Sequence, residues 1–234
     1  MTDAIPRWRQ IADAMRAHVA TQPPGSRLPT EAALSATHGA NRHTVRRAID
    51  SLTRAGLVRT EQGRGSFVAE DVLDYAVAPR TRFSEWVRRH NREPAGQILQ
   101  LRHIPASAPI AAELGLPTGA KVVLLERLGL ADRVPISLTR HYFDGEFFPT
   151  LMDELQVQPT ITAALAAVGV DDYRRLRTRV TARLPTPTEA TLLATPRNRP
   201  VLVCANVNVD ASGHVIEAAV ALHPSSRVHV LFEP

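Results

Sequence analysis

The 234-residue chain has one cysteine, Cys204, one lysine, Lys121, and no apolar run that approaches a membrane span. A lone cysteine excludes an intramolecular disulfide and any multi-cysteine zinc site, and it fits a reducing compartment. Charges run through the apolar pattern of Met1 to Arg16, where a secretory signal would carry an apolar core. We therefore expect a cytoplasmic protein with no membrane partner. There is no Ser-His-Asp order, His-x-x-x-His pair or dinucleotide fingerprint, and His103, His141, His214 and His223 are scattered over expected strands and loops. Each of these histidines reads as structural or surface, so no catalytic residue, metal ligand or cofactor is expected. Nothing repeats at a fixed period.

With lysine nearly absent, arginine supplies the basicity, a formal charge of +5 and a pI of about 10.3. Arginine suits phosphate and guanine better than lysine does, because its planar fork bonds bidentately. Charge alone fits an ordinary soluble protein equally well. Hydrophobic residues at 44% and charged residues at 22% can bury an ordinary core, and the length accommodates two modest domains.

The first seventy residues carry the clearest pattern. Ile5, Trp8, Ile11, Ala12, Met15 and Val19 recur at three- and four-residue steps, the stripe of an amphipathic helix ended by Thr21-Gln22-Pro23-Pro24-Gly25. Thr30 caps a short second helix with Ala33, Leu34 and Thr37 inward, stopped at His38-Gly39. Asn41 caps a third helix whose inner face is Val45, Ala48, Ile49 and Leu52. That leaves Arg42, His43, Arg46 and Arg47 near its outer face and amino-terminal end, the end that enters a major groove in helix-turn-helix proteins. Two alternating runs, Leu57 to Glu61 and Ser66 to Ala69, joined by Gln62-Gly63-Arg64-Gly65, read as a hairpin wing. Its glycines allow close approach to a phosphate or minor groove, and Arg64 sits at the tip. A nucleotide-binding P-loop is a poorer reading, since the P-loop lysine and following helix are missing.

Leu28-Pro29-Thr30-Glu31, Asn41 through Ala48, Leu52, Gly56-Leu57-Val58 and Gln62 through Val68 occur together in one order. In that order they resemble the GntR family of bacterial regulators. The resemblance implies double-stranded DNA as partner. Arg42 and Arg46 would make the main base or phosphate contacts, Asn41, His43 and Thr44 would assist, and Gly63, Arg64 and Gly65 would lie against the backbone. Thr30, Glu31 and Arg47 belong to the same surface. Many members carry an arginine shortly after the glutamate, where this chain has Ala32, so that DNA contact is either missing or supplied by a neighbour such as Arg27.

Beyond the motif the period is lost over 70–80, which reads as a linker between a DNA-binding domain, 1–69, and a second domain, 81–234. Phe83, Trp86 and Val87 open a helix ending in Arg88, Arg89 and His90. Strands are expected at Gln97 to Ile104, Lys121 to Leu130, Ile136 to Phe143, Tyr173 to Leu184, Val201 to Val209, His214 to Leu222 and Val228 to Phe232. Helices are expected at Ala108 to Leu114, at Thr160 to Val168 and after the capping box Thr186-Pro187-Thr188-Glu189. The whole is α+β, a winged helix-turn-helix followed by an antiparallel sheet with helices.

Glu126 through Asp132, Pro135-Ile136-Ser137 and Asp210 through Glu217 resemble the UTRA effector domain of the HutC branch of that family. Its fold is similar to chorismate lyase, and it implies a homodimer in which a small effector controls affinity for a palindromic operator. The resemblance implies a pocket formed by Thr81, Arg82, Phe83, Ser84, Arg127, Thr139, Arg140, Tyr142, Glu217 and Arg227. Arginines would hold an anion, and Glu217 would accept from an amine or hydroxyl. Gly129 and Thr139 stand where sugar-phosphate sensors of the branch often carry arginine and glutamate, which disfavours an aminosugar phosphate. His141-Tyr142-Phe143 before Phe147-Phe148-Pro149 is similar to the phosphonate-metabolism regulators, so the expected effector is a phosphonate, phosphate or related anion. Two alternatives remain: a ligand-independent DNA-binding protein, and a chorismate lyase-like enzyme, which finds little support among the residues.

Overall fold

The computed structural model describes residues 5–61, 63–69, 72–80, 82–158 and 160–232. The chain divides into two compact units at 71/72.

In the first unit α1 (Arg7–Ala20), α2 (Glu31–His38) and α3 (Arg42–Arg54) precede a hairpin of β1 (Val58–Glu61) and β2 (Gly65–Val68). Ile11, Ala12, Met15 and Val19 of α1 bury against Val45, Ala48, Ile49 and Leu52 of α3, with Leu34, Val58 and Val68 closing the core. The expected stripe holds except at its start, because Ile5 precedes the helix and is exposed. Ala33 and Thr37 are exposed as well: an eight-residue helix turned inward at Leu34 has no room for a second inward row. Leu52 is fully buried, so truncation to Ala costs about 2–5 kcal/mol. The segment before α2 joins the wing as a third ribbon, with Leu28 N donating to Ser66 O at 2.9 Å and Val68 N to Ser26 O at 2.8 Å.

The second unit runs β3 (Leu73–Ala76), α4 (Phe83–Arg89), β4 (Pro94–Pro105), α5 (Ala108–Leu114), β5 (Lys121–Ala131), β6 (Val134–Asp144), α6 (Leu151–Val157), α7 (Ile161–Ala167), β7 (Tyr173–Arg183), α8 (Pro187–Leu192), β8 (Val201–Asp210), β9 (Val215–Pro224) and β10 (Val228–Leu231). Among the described residues an antiparallel six-stranded sheet has the order β4-β5-β6-β9-β8-β7. One face packs under α6 and α7 through Leu125, Phe143, Leu151 and Leu165, and under α4 through Trp86, Val87 and Ile136. The other packs on α5 through Val122 and Tyr142, and beside α8 through Leu138, Leu193 and Leu222. The expected capping box at Thr186 and Glu189 forms.

The stretch expected as linker over 70–80 needs correction where it is described. Leu73 and Tyr75 are buried and β3 pairs parallel with β10, so the segment from 73 to 76 belongs to the core of the second unit. Two alternating inward residues are too short a signal to read as a strand; the partner that makes them one lies some 150 residues on. Glu70 and Asp71 lie outside the described residues. No helix among the described residues is long and apolar enough to cross a membrane.

Candidate functional site

The outer surface of the first unit is built by two caps and two charge pairings. Thr30 Oγ1 accepts from Ala33 N at 3.2 Å and Asn41 Oδ1 from Thr44 N at 2.9 Å, which fixes the start of α2 and of α3. The Thr44 hydroxyl also donates to Asn41 Oδ1, so that oxygen is engaged in holding the turn. Arg42 and His43 stand exposed in the first turn of α3 with no side-chain partner among the described residues. Arg46 forms a bidentate pair with Glu31, Nε to Oε1 at 3.2 Å and Nη2 to Oε2 at 3.1 Å, which ties α3 to α2. That hydrogen bond and charge raise the Arg46 pKa. Arg47 lies over the Trp8 ring at 4.8 Å, joining α3 to α1.

In the wing, Gly63 and Gly65 have φ of 73° and 104°, conformations that side chains rarely adopt. Arg64 is folded back: it bonds Glu61 and lies 5.7 Å from the Phe67 ring, half-buried. Gln62 lies outside the described residues. The Arg27 guanidinium rests beside Gly65, 3.5 Å from where a Cβ would stand, so it borders the wing where the sequence lacks an arginine at Ala32.

In the second unit a cavity of about 330 Å³ opens on the sheet face beneath α4. Strand alternation sets its floor, because every second residue of β5, β6, β9 and β8 points to this face: Arg127, Ser137, Thr139, His141, Glu217, Ala219, Ala221, His223, Asn206 and Asn208. Arg82, Phe83, Ser84 and Trp86 around the start of α4, with Tyr75 of β3, form its wall.

Charge is distributed unevenly over this lining. Glu217, 3% exposed, is held by His141 Nδ1 and the Asn208 amide. Burial pushes its carboxyl pKa up, but those two partners together with the Arg175 charge outweigh burial and hold it below its ordinary value. Arg175 is saturated as well, donating to Asn208 Oδ1 at 2.7 Å, Asn206 Oδ1 at 2.6 Å and the Thr178 hydroxyl at 2.9 Å. Arg82 donates to Tyr173 O at 2.6 Å and stacks on that ring at 3.6 Å. Arg127 differs. Its guanidinium has no hydrogen-bond or ion-pair partner among the described residues, lies 6.0 Å from the Phe83 ring, and has its pKa lowered by burial. It rests on β4, where Gly96 leaves it room: a Cβ there would lie 2.2 Å from Nη2.

Of the residues expected in the pocket, Arg82, Phe83, Ser84, Arg127, Thr139 and Glu217 line it, and Thr81 lies outside the described residues. Three do not. Arg140 and Tyr142 fall on the opposite sheet face by strand alternation, Arg140 bonded to Glu126 at 2.7 Å and Tyr142 packed with α5. Arg227 is buried and donates to the carbonyls of Leu193 at 2.7 Å, Ala194 at 2.8 Å and Pro135 at 3.0 Å, so it ties the end of α8 to β6. Sequence reasoning missed Arg175, Asn206, Asn208, Tyr75, His141 and His223, all of which line the cavity. Alternation of Glu217, Ala219, Ala221 and His223 along β9 was the available signal for His223.

Two family models cover the chain: the bacterial regulatory proteins of the gntR family match residues 7–68 and the UTRA domain matches residues 89–229. The HTH-type transcriptional regulator RB1450 of Rhizobium meliloti is 35% identical, over 97% of this chain and 94% of its own length. The transcriptional regulator PhnF of Escherichia coli is 32% identical, over 89% and 87%. The crystal structure of PhnF from Mycobacterium smegmatis superposes with a TM-score of 0.64 at 21% identity, covering 96% of this chain and 98% of that one, which supports the fold. Such relatives are regulators and not enzymes. A winged helix-turn-helix with exposed basic residues on its third helix, a cavity-bearing antiparallel domain and these two matches together place the chain in the GntR family, among the HutC-type, UTRA-containing, effector-controlled DNA-binding transcriptional regulators.

Proposed function

We propose that this regulator is a cytoplasmic homodimeric repressor that leaves a palindromic operator when a small anion, a phosphonate, phosphate or close relative, occupies the cavity. The observation that carries the reading is Arg127, a largely buried guanidinium in the cavity with no anionic partner among the described residues. A buried charge is costly unless it is paired, and a guanidinium stays protonated at neutral pH, so the site favours an incoming anion. Ser84, Ser137 and Thr139 add hydroxyl donors to the same lining. Glu217 is engaged by His141 and Asn208 rather than by Arg127, and it serves to hold those two side chains.

For DNA, the reader is Arg42 and His43, with Arg46, Arg47, Arg64 and Arg27 as neighbouring contacts and Thr30, Glu31, Asn41 and Thr44 setting their positions. A cation in the first turn of α3 opposes the helix dipole, a cost of about 0.3–1 kcal/mol that a phosphate or base edge offsets. Residues 1–69 form the DNA-binding domain, and the effector-binding and dimerisation domain begins with β3 rather than after a long linker.

The decisive measurement is operator binding by fluorescence anisotropy, on a duplex selected from a random pool, with and without methylphosphonate or inorganic phosphate. We expect the anion to weaken binding in the wild type and to have no effect on Arg127→Ala. An Arg127→Ala protein that still responds to the anion refutes the site. Arg42→Ala should weaken specific binding by about 1–3 kcal/mol if it reads a base; unchanged affinity removes Arg42 from the reader.

A further inference from the structure

The wing gathers its arginines on one face. Across the hairpin Arg59 pairs with Phe67 and Glu61 with Gly65, so these four point to one side, while Val58 and Val68 point to the core. Arg27 joins that side: it bridges to Phe67, and its guanidinium rests 3.5 Å from where a Gly65 Cβ would stand. Arg59 covers the Phe67 ring at 4.9 Å, and Arg64 folds toward the same ring from the tip, at 5.7 Å. Three guanidinium groups thus share a face with the Glu61 carboxylate. Each oxygen of that carboxylate serves one arginine, Oε1 accepting from Arg59 and Oε2 from Arg64.

The turn makes this return possible. Arg64 N donates to Glu61 O at 3.0 Å, and Gly63 and Gly65 take positive φ on either side of Arg64, which brings its side chain within reach of the carboxylate that opens the turn. A guanidinium bonded to a carboxylate is withheld from a phosphate, because both anions take the same planar fork. The restraint is weak enough to be broken. A pair as open to solvent as Arg64 and Glu61 shifts an equilibrium by no more than about fivefold, and duplex DNA offers a continuous row of phosphates. Glu61 keeps Arg59 when Arg64 leaves, so opening the pair does not strand a partly buried carboxylate.

We infer that Glu61 sets the affinity of the DNA-binding surface: it holds Arg64 against the wing in the free protein, and a backbone phosphate must displace it before Arg64 can contact DNA. The inference rests on the reading that the wing contacts DNA through Arg64, and it names the intramolecular competitor for that contact. Since a phosphate carries no sequence information, the restraint lowers affinity for operator and unrelated duplex by the same factor.

The test is fluorescence anisotropy of the full chain on the selected operator duplex and on an unrelated duplex of equal length, over a salt series, for the wild type, Glu61→Gln, Arg64→Ala and the double variant. Arg64→Ala should weaken binding to both duplexes and reduce the salt slope by about one. Glu61→Gln, which keeps the shape of the side chain and removes its charge, should tighten binding to both by about twofold to fivefold. In the Arg64→Ala background the same substitution should change affinity by less than about 1.5-fold, because the group it releases is gone. A gain as large in the double variant as in the single one overturns the inference, since Glu61 would then act on DNA through its own charge. Equal or weaker binding by Glu61→Gln also overturns it, and leaves the wing contact standing where Arg64→Ala still weakens binding. If Arg64→Ala changes neither affinity nor salt slope, the wing reading falls and this inference falls with it.

Discussion

Replacing Gly96 with alanine tests how the cavity presents its cation. The glycine lies on β4 directly beneath the Arg127 guanidinium, and an added Cβ would stand 2.2 Å from Nη2, 2.3 Å from Nε and 2.5 Å from Cζ. Two non-bonded heavy atoms cannot share that space, so the guanidinium must leave its seat. The obstructing atoms are the far end of a flexible side chain, and re-seating it in another rotamer costs about 0.5–1.5 kcal/mol. Alanine in place of a strand glycine with no positive φ restricts the unfolded chain and returns about 0.4–1 kcal/mol. Net stability should therefore move by under about 1 kcal/mol, a change of some 2–4 °C in Tm for a chain of this size. Anion binding has no such compensation. Losing one or two charge-assisted hydrogen bonds of about 1.5–3 kcal/mol each predicts at least a tenfold loss of affinity for methylphosphonate. Calorimetric titration beside a thermal melt separates the two effects. Wild-type anion affinity in a stably folded Gly96→Ala protein would refute the assignment of Arg127 as the anion's partner in this position.

Three further outcomes follow from the same geometry. Arg140→Ala should leave anion affinity unchanged within twofold, since Arg140 pairs with Glu126 on the opposite face; a large loss would place it in the site after all. Asn41→Ala removes the cap of α3 and should destabilise the first unit by about 1 kcal/mol, read by urea unfolding of the DNA-binding domain signal in the full chain. The pH dependence of stability should carry the signature of His223. Its folded pKa of about 4 lies below the unfolded value near 6.5, so its contribution is full above about pH 6.5 and is lost as pH falls toward 4. The loss amounts to roughly 3 kcal/mol, and His223→Phe should flatten that limb of a stability-pH curve; an unaltered limb would assign it to another group.

The local part of this protein was decided by its sequence. Helix stripes in α1 and α3, the caps Thr30, Asn41 and Thr186, the glycines of the wing and the alternating strands of the second unit all act over a few residues, so their spacing reports them directly. The order of the motifs then carried the family. Tertiary structure decided which groups meet. Thr139 and Arg140 are chain neighbours, yet pleating sends one into the cavity and the other to the opposite face. A register shift between Arg175 and Arg177 turns Arg175 toward Asn206 and Asn208 while Arg177 faces Glu113 of α5; unbroken alternation would have put both arginines on one side. Arg227 is drawn to the carbonyls that end α8, and β3 becomes a strand through β10, pairings across many residues that no local period encodes. That Arg127 and His223 Nε2 find no partner among the described residues is likewise a tertiary fact: a side chain lacks a partner because of what the fold brings near it, and the sequence alone names the groups without their neighbours.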